Sequence, residues 1–265
     1  MSARLPKSQI ERLGLRLVGK DGPSDEDLDL LHQLLLTRSE QLDRAEARLR
    51  EGLGIVPTSR VKNTETILEK LRRGGGSGLK SIQDLVGMRI VGGFDRREQG
   101  ELVERVVALF GDGDRAPKVV DRRAEPMHGY RAVHVIVFPE GAPIEIQVRT
   151  EWQHEWAEFF EKLADRVGRG IRYGEPPAKW WTPVTTRPIA VRRYFEVEHE
   201  RRESIVEMAL AVAGMIDAVE EGEVVAPDDR DLPAYRRKVE VALGDLRQTL
   251  HDIDDANDVV ERLGS

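Results

Sequence analysis

The chain has no cysteine, only 5% aromatic residues and no excess of positive charge. Lack of thiols excludes disulfides, thiolate zinc sites and a cysteine nucleophile. No apolar run reaches the roughly eighteen residues that a membrane-spanning helix requires. The opening stretch Met-Ser-Ala-Arg-Leu-Pro-Lys also lacks the apolar centre of a secretory signal, so a cytoplasmic protein without membrane association is expected. A formal charge of −7 excludes a global field attracting nucleic acid. What is present is the composition of a globular protein, 40% hydrophobic and 34% charged over 265 residues, enough for one large or two modest domains. Charge is unevenly placed: residues 58–73 are basic on balance and the chain beyond Glu220 is acidic. A local anion-binding patch is therefore possible within an acidic protein.

Ser24 before Asp25, Glu26 and Asp27 is a helix start, and Leu28, Leu31, Leu35, Leu42, Ala45 and Leu49 continue it as a one-sided stripe to Gly52 or Gly54. A second helix is expected from Thr64 to Arg73, stopped by the glycine-rich run Gly74–Gly78. No Gly-Lys-Ser/Thr follows that run, which argues against a phosphate loop and for a flexible connection. Residues 88–94 read as a strand, Glu98–Phe110 as an amphipathic helix, and Pro117–Asp121 as a short strand. Tyr130–Phe138 and Ile144–Thr150 alternate apolar and polar residues around Pro-Glu-Gly-Ala-Pro, which predicts an antiparallel pair. Helix follows from Glu151 to about Val167, then a proline-rich stretch with Trp180 and Trp181, then helices near 191–220 and 232–263. The expected fold class is α+β: a mixed β-sheet flanked by helices, with helical extensions at both ends. The expected division is a helical segment over 1–56, a catalytic region over 57–174, a linker over 175–190 and a helical region over 191–265.

Two constellations compete for chemistry in the segment Ile144–Glu158. His154-Glu155 with Glu158 approaches a zinc-protease signature, but the second histidine is missing and no other histidine supplies a ligand pair by spacing. His251-Asp252 likewise has no partners spaced to complete a metal cluster. The strand is richer: alternation puts Glu145, Gln147 and Arg149 on one side. Should the hairpin place His134 opposite Gln147, then Tyr130, His134, Glu145, Gln147 and Arg149 form one polar surface. Upstream, Arg60, Lys62 and Lys70 surround a helix start, where phosphates bind well. Asp84 can join Glu145 as a pair of carboxylates holding Mg²⁺ against polyphosphate oxygens.

The motifs Ser-Arg-Val-Lys-Asn-Thr-Glu-Thr-Ile-Leu-Glu-Lys from Ser59, Ser-Ile-Gln-Asp-Leu-Val-Gly-Met-Arg-Ile-Val from Ser81, Gly-Tyr-Arg-Ala-Val-His from Gly129 and Ile-Glu-Ile-Gln-Val-Arg-Thr-Glu-Trp from Ile144 occur in one order. Together they resemble the RelA/SpoT-type synthetase domain of the (p)ppGpp alarmone synthetases, and a small standalone member is suggested. The resemblance implies a sheet fold related to nucleotidyltransferases and a reaction moving the β,γ-pyrophosphate of ATP onto the 3′-hydroxyl of GDP or GTP, as in the stringent response. It further implies that Asp84 and Glu145 hold Mg²⁺, with Glu145 placed to activate the attacking hydroxyl. Arg60, Lys62, Lys70 and Arg89 would meet ATP. Tyr130 would stack on the acceptor base, supported by His128, His134, Gln147 and Arg149. The chain departs from long synthetases before Gly129, where a lysine is absent, His128 stands in an asparagine position, and Arg122 and Arg123 are candidate substitutes. Two alternatives stay open: a toxin-type member that modifies the tRNA 3′ end or makes an adenosine alarmone, with Arg122, Arg123, Arg131 and the arginines of 166–172 as its basic surface, and a catalytically weak nucleotide-binding regulator. The terminal helices are candidate surfaces for a homo-oligomer or an antitoxin partner.

Overall fold

The protein is described by a computed structural model covering residues 5–20, 22–74, 78–113, 115–178 and 189–264. Trp180 and Trp181, with most of the expected 175–190 linker, lie outside the described residues, as do Gly75 and Gly76 of the glycine run. In chain order the elements are α1 (Lys7–Leu17), α2 (Asp25–Leu53), β1 (Thr58–Val61), α3 (Thr64–Arg73), β2 (Val86–Gly92), α4 (Arg96–Leu109), β3 (Lys118–Asp121), β4 (Val133–Val137), β5 (Ile144–Thr150), α5 (Glu151–Val167), α6 (Ile189–Val225) and α7 (Leu232–Gly264). The fold is α+β, with a mixed five-stranded sheet in the order β1-β2-β5-β4-β3. Among the described residues no helix is long and apolar enough to cross a membrane.

Local chemistry explains the helix ends. The Ser24 hydroxyl accepts from the Asp27 amide at 3.2 Å while the Asp27 carboxylate accepts from the Ser24 amide, a reciprocal cap that starts α2. Gly54, at φ 70°, closes it in the left-handed conformation that glycine adopts without steric cost. Asn63 caps α3, accepting from the Thr66 amide at 2.8 Å. Thr150 and Gln153 cap α5 reciprocally, so the change of period at residue 150 is a strand running directly into a capped helix.

The chain divides into two compact units. The first comprises residues 1–91, 99–120 and 133–148. Here the stripes of α1 and α2 meet α3 and the segment before β2 in one core that includes Leu13, Leu31, Ile67, Leu71 and Leu79. Helix α1 was not expected as a separate element; Ile10, Leu13 and Leu17 give it a buried face. The second unit comprises residues 92–98, 121–132 and 149–265. Its core joins α5 to α6 and α7 through Trp156, Phe160, Leu163, Ile205, Val212, Leu243 and Leu246. Trp156 stacks on Phe160 at 4.7 Å and donates its indole N–H to the Ala209 carbonyl at 2.7 Å, so a large ring is buried with its polar group satisfied.

Two strands differ from expectation. β2 starts at Val86, which pairs with Val61, and it ends before Phe94 because Asp95 and Glu98 exchange caps that open α4. β4 starts at Val133, not Tyr130. The chain before it turns through His128 (φ 48°) and Gly129 (φ 82°), with Met127 bridging Tyr130. Two successive positive φ angles define a tight hairpin turn, incompatible with an extended strand.

Candidate functional site

The β4–β5 ladder has the register that brings the polar residues together: His134 faces Gln147 and Ile136 faces Glu145. Glu145 is thus the diagonal neighbour of His134 on one face of the sheet. His134 Nδ1 lies 2.8 Å from one Glu145 oxygen, and Gln147 Nε2 donates to the other at 2.8 Å. The opposite face carries Val133, Val135, Ile144, Ile146 and Val148, all buried, and a slip of one residue would exchange the two faces. Buried Gln99 donates its side-chain amide to the Val148 carbonyl at 2.9 Å and so ties α4 to this strand. Gln99 escaped the sequence reading because a glutamine on an amphipathic helix carries no signal of burial.

Asp84 sits at the end of the segment that leads into β2. The Lys62 ammonium donates to one of its oxygens at 2.6 Å and the Lys70 ammonium to the other at 2.8 Å. Lys62 is brought there because its backbone N–H extends the β1–β2 ladder to the Leu85 carbonyl, and Lys70 because the Asn63 cap fixes the phase of α3. The two lysines expected beside a nucleotide thus rest on Asp84. Burial alone would raise the Asp84 pKa, but the two ammonium groups outweigh it and hold the value at about 2. At Glu145 burial again pushes upward, and the contacts with His134 and Gln147 bring the pKa below the usual carboxylate range. The negative charge of Asp84 opposes that lowering, so the two carboxylates sense one another.

Arg60 faces Gly87 across the β1–β2 pair and Thr58 faces Arg89, so alternation puts Arg60 and Arg89 on the same side of the sheet. Gly87 has a specific reason to be glycine: a Cβ there would lie 3.0 Å from the Glu145 carbonyl oxygen. Among the described residues no group of three or more His, Cys, Asp or Glu side chains could hold a metal. A cation between Asp84 and Glu145 would have two carboxylates from the protein and need further oxygens from phosphates or water, a donor set that suits Mg²⁺.

Tyr130, Arg149 and His128 belong to the second unit. Arg149, only 3% exposed, donates to the Tyr130 hydroxyl at 2.8 Å, with its guanidinium 5.1 Å from the ring centroid. His128 packs against Gly174, where a Cβ would meet its ring at 2.4 Å, and Gly129 leaves room for the Trp156 ring, which a Cβ would meet at 2.7 Å. The expected continuous face from Tyr130 to Arg149 is corrected: Tyr130 precedes β4, so strand alternation does not govern where it points. Of the arginines considered as a basic surface, five are engaged with carboxylates. Arg123 grips Asp121 at 2.7 Å, Arg131 meets Asp217 at 2.9 Å, Arg166 meets Asp254 at 2.5 Å, and Arg169 and Arg172 lie beside Asp165.

With this geometry in place, residues 59–164 match the family described as "Region found in RelA / SpoT proteins". Over those residues the chain is similar to RelA/SpoT proteins. Over 175 residues it is also 40% identical to uncharacterized proteins of Mycobacterium tuberculosis (strain ATCC 25618 / H37Rv) and Mycobacterium bovis, matching 63% of this chain and 62% of theirs. The matched part thus spans less than two thirds of those relatives. The chain is similar to the small alarmone synthetase 1 of Bacillus subtilis, at 21% identity and a TM-score of 0.46, over 72% of this chain and 99% of that one. A structure of the same protein bound to its product pppGpp gives 20% identity and a TM-score of 0.46, over 71% and 98%. Nothing about the present site rests on that likeness. The matched stretch 59–164 contains both carboxylates, both lysines and the whole β4–β5 hairpin.

Proposed function

We propose that residues 57–174 form an ATP-dependent pyrophosphotransferase that moves the β,γ-pyrophosphate of ATP onto the 3′-hydroxyl of GDP or GTP, making a (p)ppGpp alarmone. The observation that carries this reading is the coupled pair Asp84 and Glu145, both kept ionised by their neighbours, inside the stretch similar to RelA/SpoT proteins. Glu145 accepts the proton of the acceptor hydroxyl; the freed oxygen bonds to the β-phosphorus, and the bond from that phosphorus to the oxygen bridging the α-phosphate breaks, releasing AMP. Two side chains already bonded to Glu145 hold its carboxylate in one orientation, which favours in-line attack. Arg60, Lys62, Lys70 and Arg89 offset the triphosphate charge, and the ring of Tyr130, steadied by Arg149, stacks on the acceptor base with His128, His134 and Gln147 on the acceptor side. Asp84 and Glu145 would hold Mg²⁺, which when bound would supply neutralisation of the polyphosphate charge.

The test incubates the full chain with labelled ATP and Mg²⁺, offering GDP, GTP, AMP and deacylated tRNA in turn, and follows AMP release and the labelled acceptor. Transfer to GDP or GTP is expected. Label on tRNA or AMP alone would replace the acceptor, and intact nucleotide binding without transfer to any acceptor would leave a regulator in place of an enzyme.

A further inference from the structure

Both carboxylates of the first unit have a partner on each oxygen, but the partners differ in charge. Glu145 meets the neutral side-chain amide of Gln147 and the ring of His134. Asp84 meets two ammonium groups, Lys62 at 2.6 Å on one oxygen and Lys70 at 2.8 Å on the other. A divalent cation can join Glu145 beside an uncharged amide. At Asp84 it has to approach two full positive charges that already touch the oxygens it needs, and like charges at such spacing repel strongly.

The two lysines also differ in how they can leave. The Lys70 side chain is 42% exposed, so water can take over its ammonium at little cost. The Lys62 side chain is only 10% exposed, and its backbone is fixed by the bond from its N–H to the Leu85 carbonyl. Stripping Asp84 from Lys62 leaves a largely buried ammonium without its carboxylate, which is costly until another anion reaches it. Phosphate oxygens are such an anion, and a lysine ammonium on its four-carbon stem can turn from one oxygen to another. We propose that Lys62 and Lys70 act as internal counter-cations on Asp84, so that this carboxylate takes up a divalent cation only once nucleotide phosphates have drawn the two ammonium groups away.

That exchange, which rests on the proposed roles of Asp84 and the two lysines, is tested by binding alone. Mn²⁺ binding to the full chain is followed by the paramagnetic resonance of the free ion, with no nucleotide added. Lys62→Gln with Lys70→Gln is expected to tighten Mn²⁺ about tenfold or more, and Asp84→Asn in that background to remove the gain. In a second arm, EDTA is present and the α,β-methylene analogue of ATP is titrated. Asp84→Asn is expected to tighten the analogue about threefold or more, because the lysines no longer have a carboxylate to leave. The same change in the double-glutamine background is expected to have little effect, whereas simple loss of a negative charge would act equally in both. Unchanged circular dichroism checks folding, and Lys70→Gln alone, at the more exposed lysine, is expected to shift Mn²⁺ binding in the same direction by less. Mn²⁺ binding indifferent to both lysines, or an Asp84→Asn effect of equal size in the two backgrounds, overturns the proposal. A Mn²⁺ gain that survives Asp84→Asn overturns the metal assignment with it. Because no turnover is measured, these outcomes are independent of whether pyrophosphate transfer is found.

Discussion

Carboxylates are used in two ways in the two units. In the second, Glu220 is 3% exposed and accepts from the Thr150 hydroxyl, from Gln153 at 2.8 Å and from Arg96 at 3.4 Å. Its neighbour Asp217 binds Arg96 and Arg131. The Glu220 oxygens are enclosed by protein donors, so this carboxylate fastens α6 to the start of α5. In the first unit Asp84 and Glu145 are also paired, yet their side chains remain 21% and 16% exposed. Accessible carboxylates near one another retain electrostatic repulsion that an incoming cation or proton relieves. What separates the fastening acid Glu220 from Asp84 and Glu145 is access, since all three are hydrogen-bonded.

The comparison breaks most sharply by removing one acid of each kind. Glu145→Gln is expected to reduce AMP release about a thousandfold, the range of a lost general base, with little change in melting temperature; retention of wild-type turnover would remove Glu145 from the chemistry. Glu220→Ala is expected to do the reverse in kind, costing about 3 kcal/mol of stability in urea unfolding because the buried Thr150 hydroxyl and Gln153 amide lose their acceptor. An unchanged urea midpoint would show that the buried acid is not a fastening.

A smaller effect separates Asp84 by pH. Its folded pKa of about 2 lies below the ordinary value of 3.8, so its contribution is full above about pH 4 and is lost as pH falls toward 2. The shift corresponds to about 2 kcal/mol. Asp84→Asn should therefore narrow the stability gap between pH 5 and pH 2 by about that amount (~2 kcal/mol), and an unaltered acid limb would deny the double lysine clasp. The smallest effect is expected for Tyr130→Phe, which removes the acceptor of the buried Arg149 and should cost about 1 kcal/mol. Acceptor affinity should change little while the ring persists, whereas Tyr130→Ala should weaken acceptor binding more than ATP binding, measured as separate dissociation constants.

Several elements could be read from residues alone. The Ser24 cap, the exact span of α3 and the 150/151 boundary between β5 and α5 follow from rules that act over three or four residues. So does the pairing of His134 with Gln147, since only one register keeps Val133, Val135, Ile146 and Val148 buried. Tyr130 went differently. A tyrosine followed by alternating residues has the pattern of a strand, but Gly129 and His128 form a turn packed on Trp156 and Gly174, partners far along the chain. Arg131 and Arg166 looked like part of a basic surface because their carboxylate partners, Asp217 and Asp254, are distant in sequence.

The sequence by itself determined the periodicities, the caps, the similarity of residues 59–164 to RelA/SpoT proteins and the face of β5 on which Glu145 lies, because backbone geometry turns spacing into direction. Tertiary structure alone decided what each charge meets: that Lys62 and Lys70 converge on Asp84, that Glu145 is held by His134 and Gln147, and that Glu220 is sealed while Asp84 stays accessible. The physical reason is range. Dihedral preferences and caps act within a turn of chain, whereas the ionisation and access of a carboxylate are set by groups that only folding brings within a few ångströms.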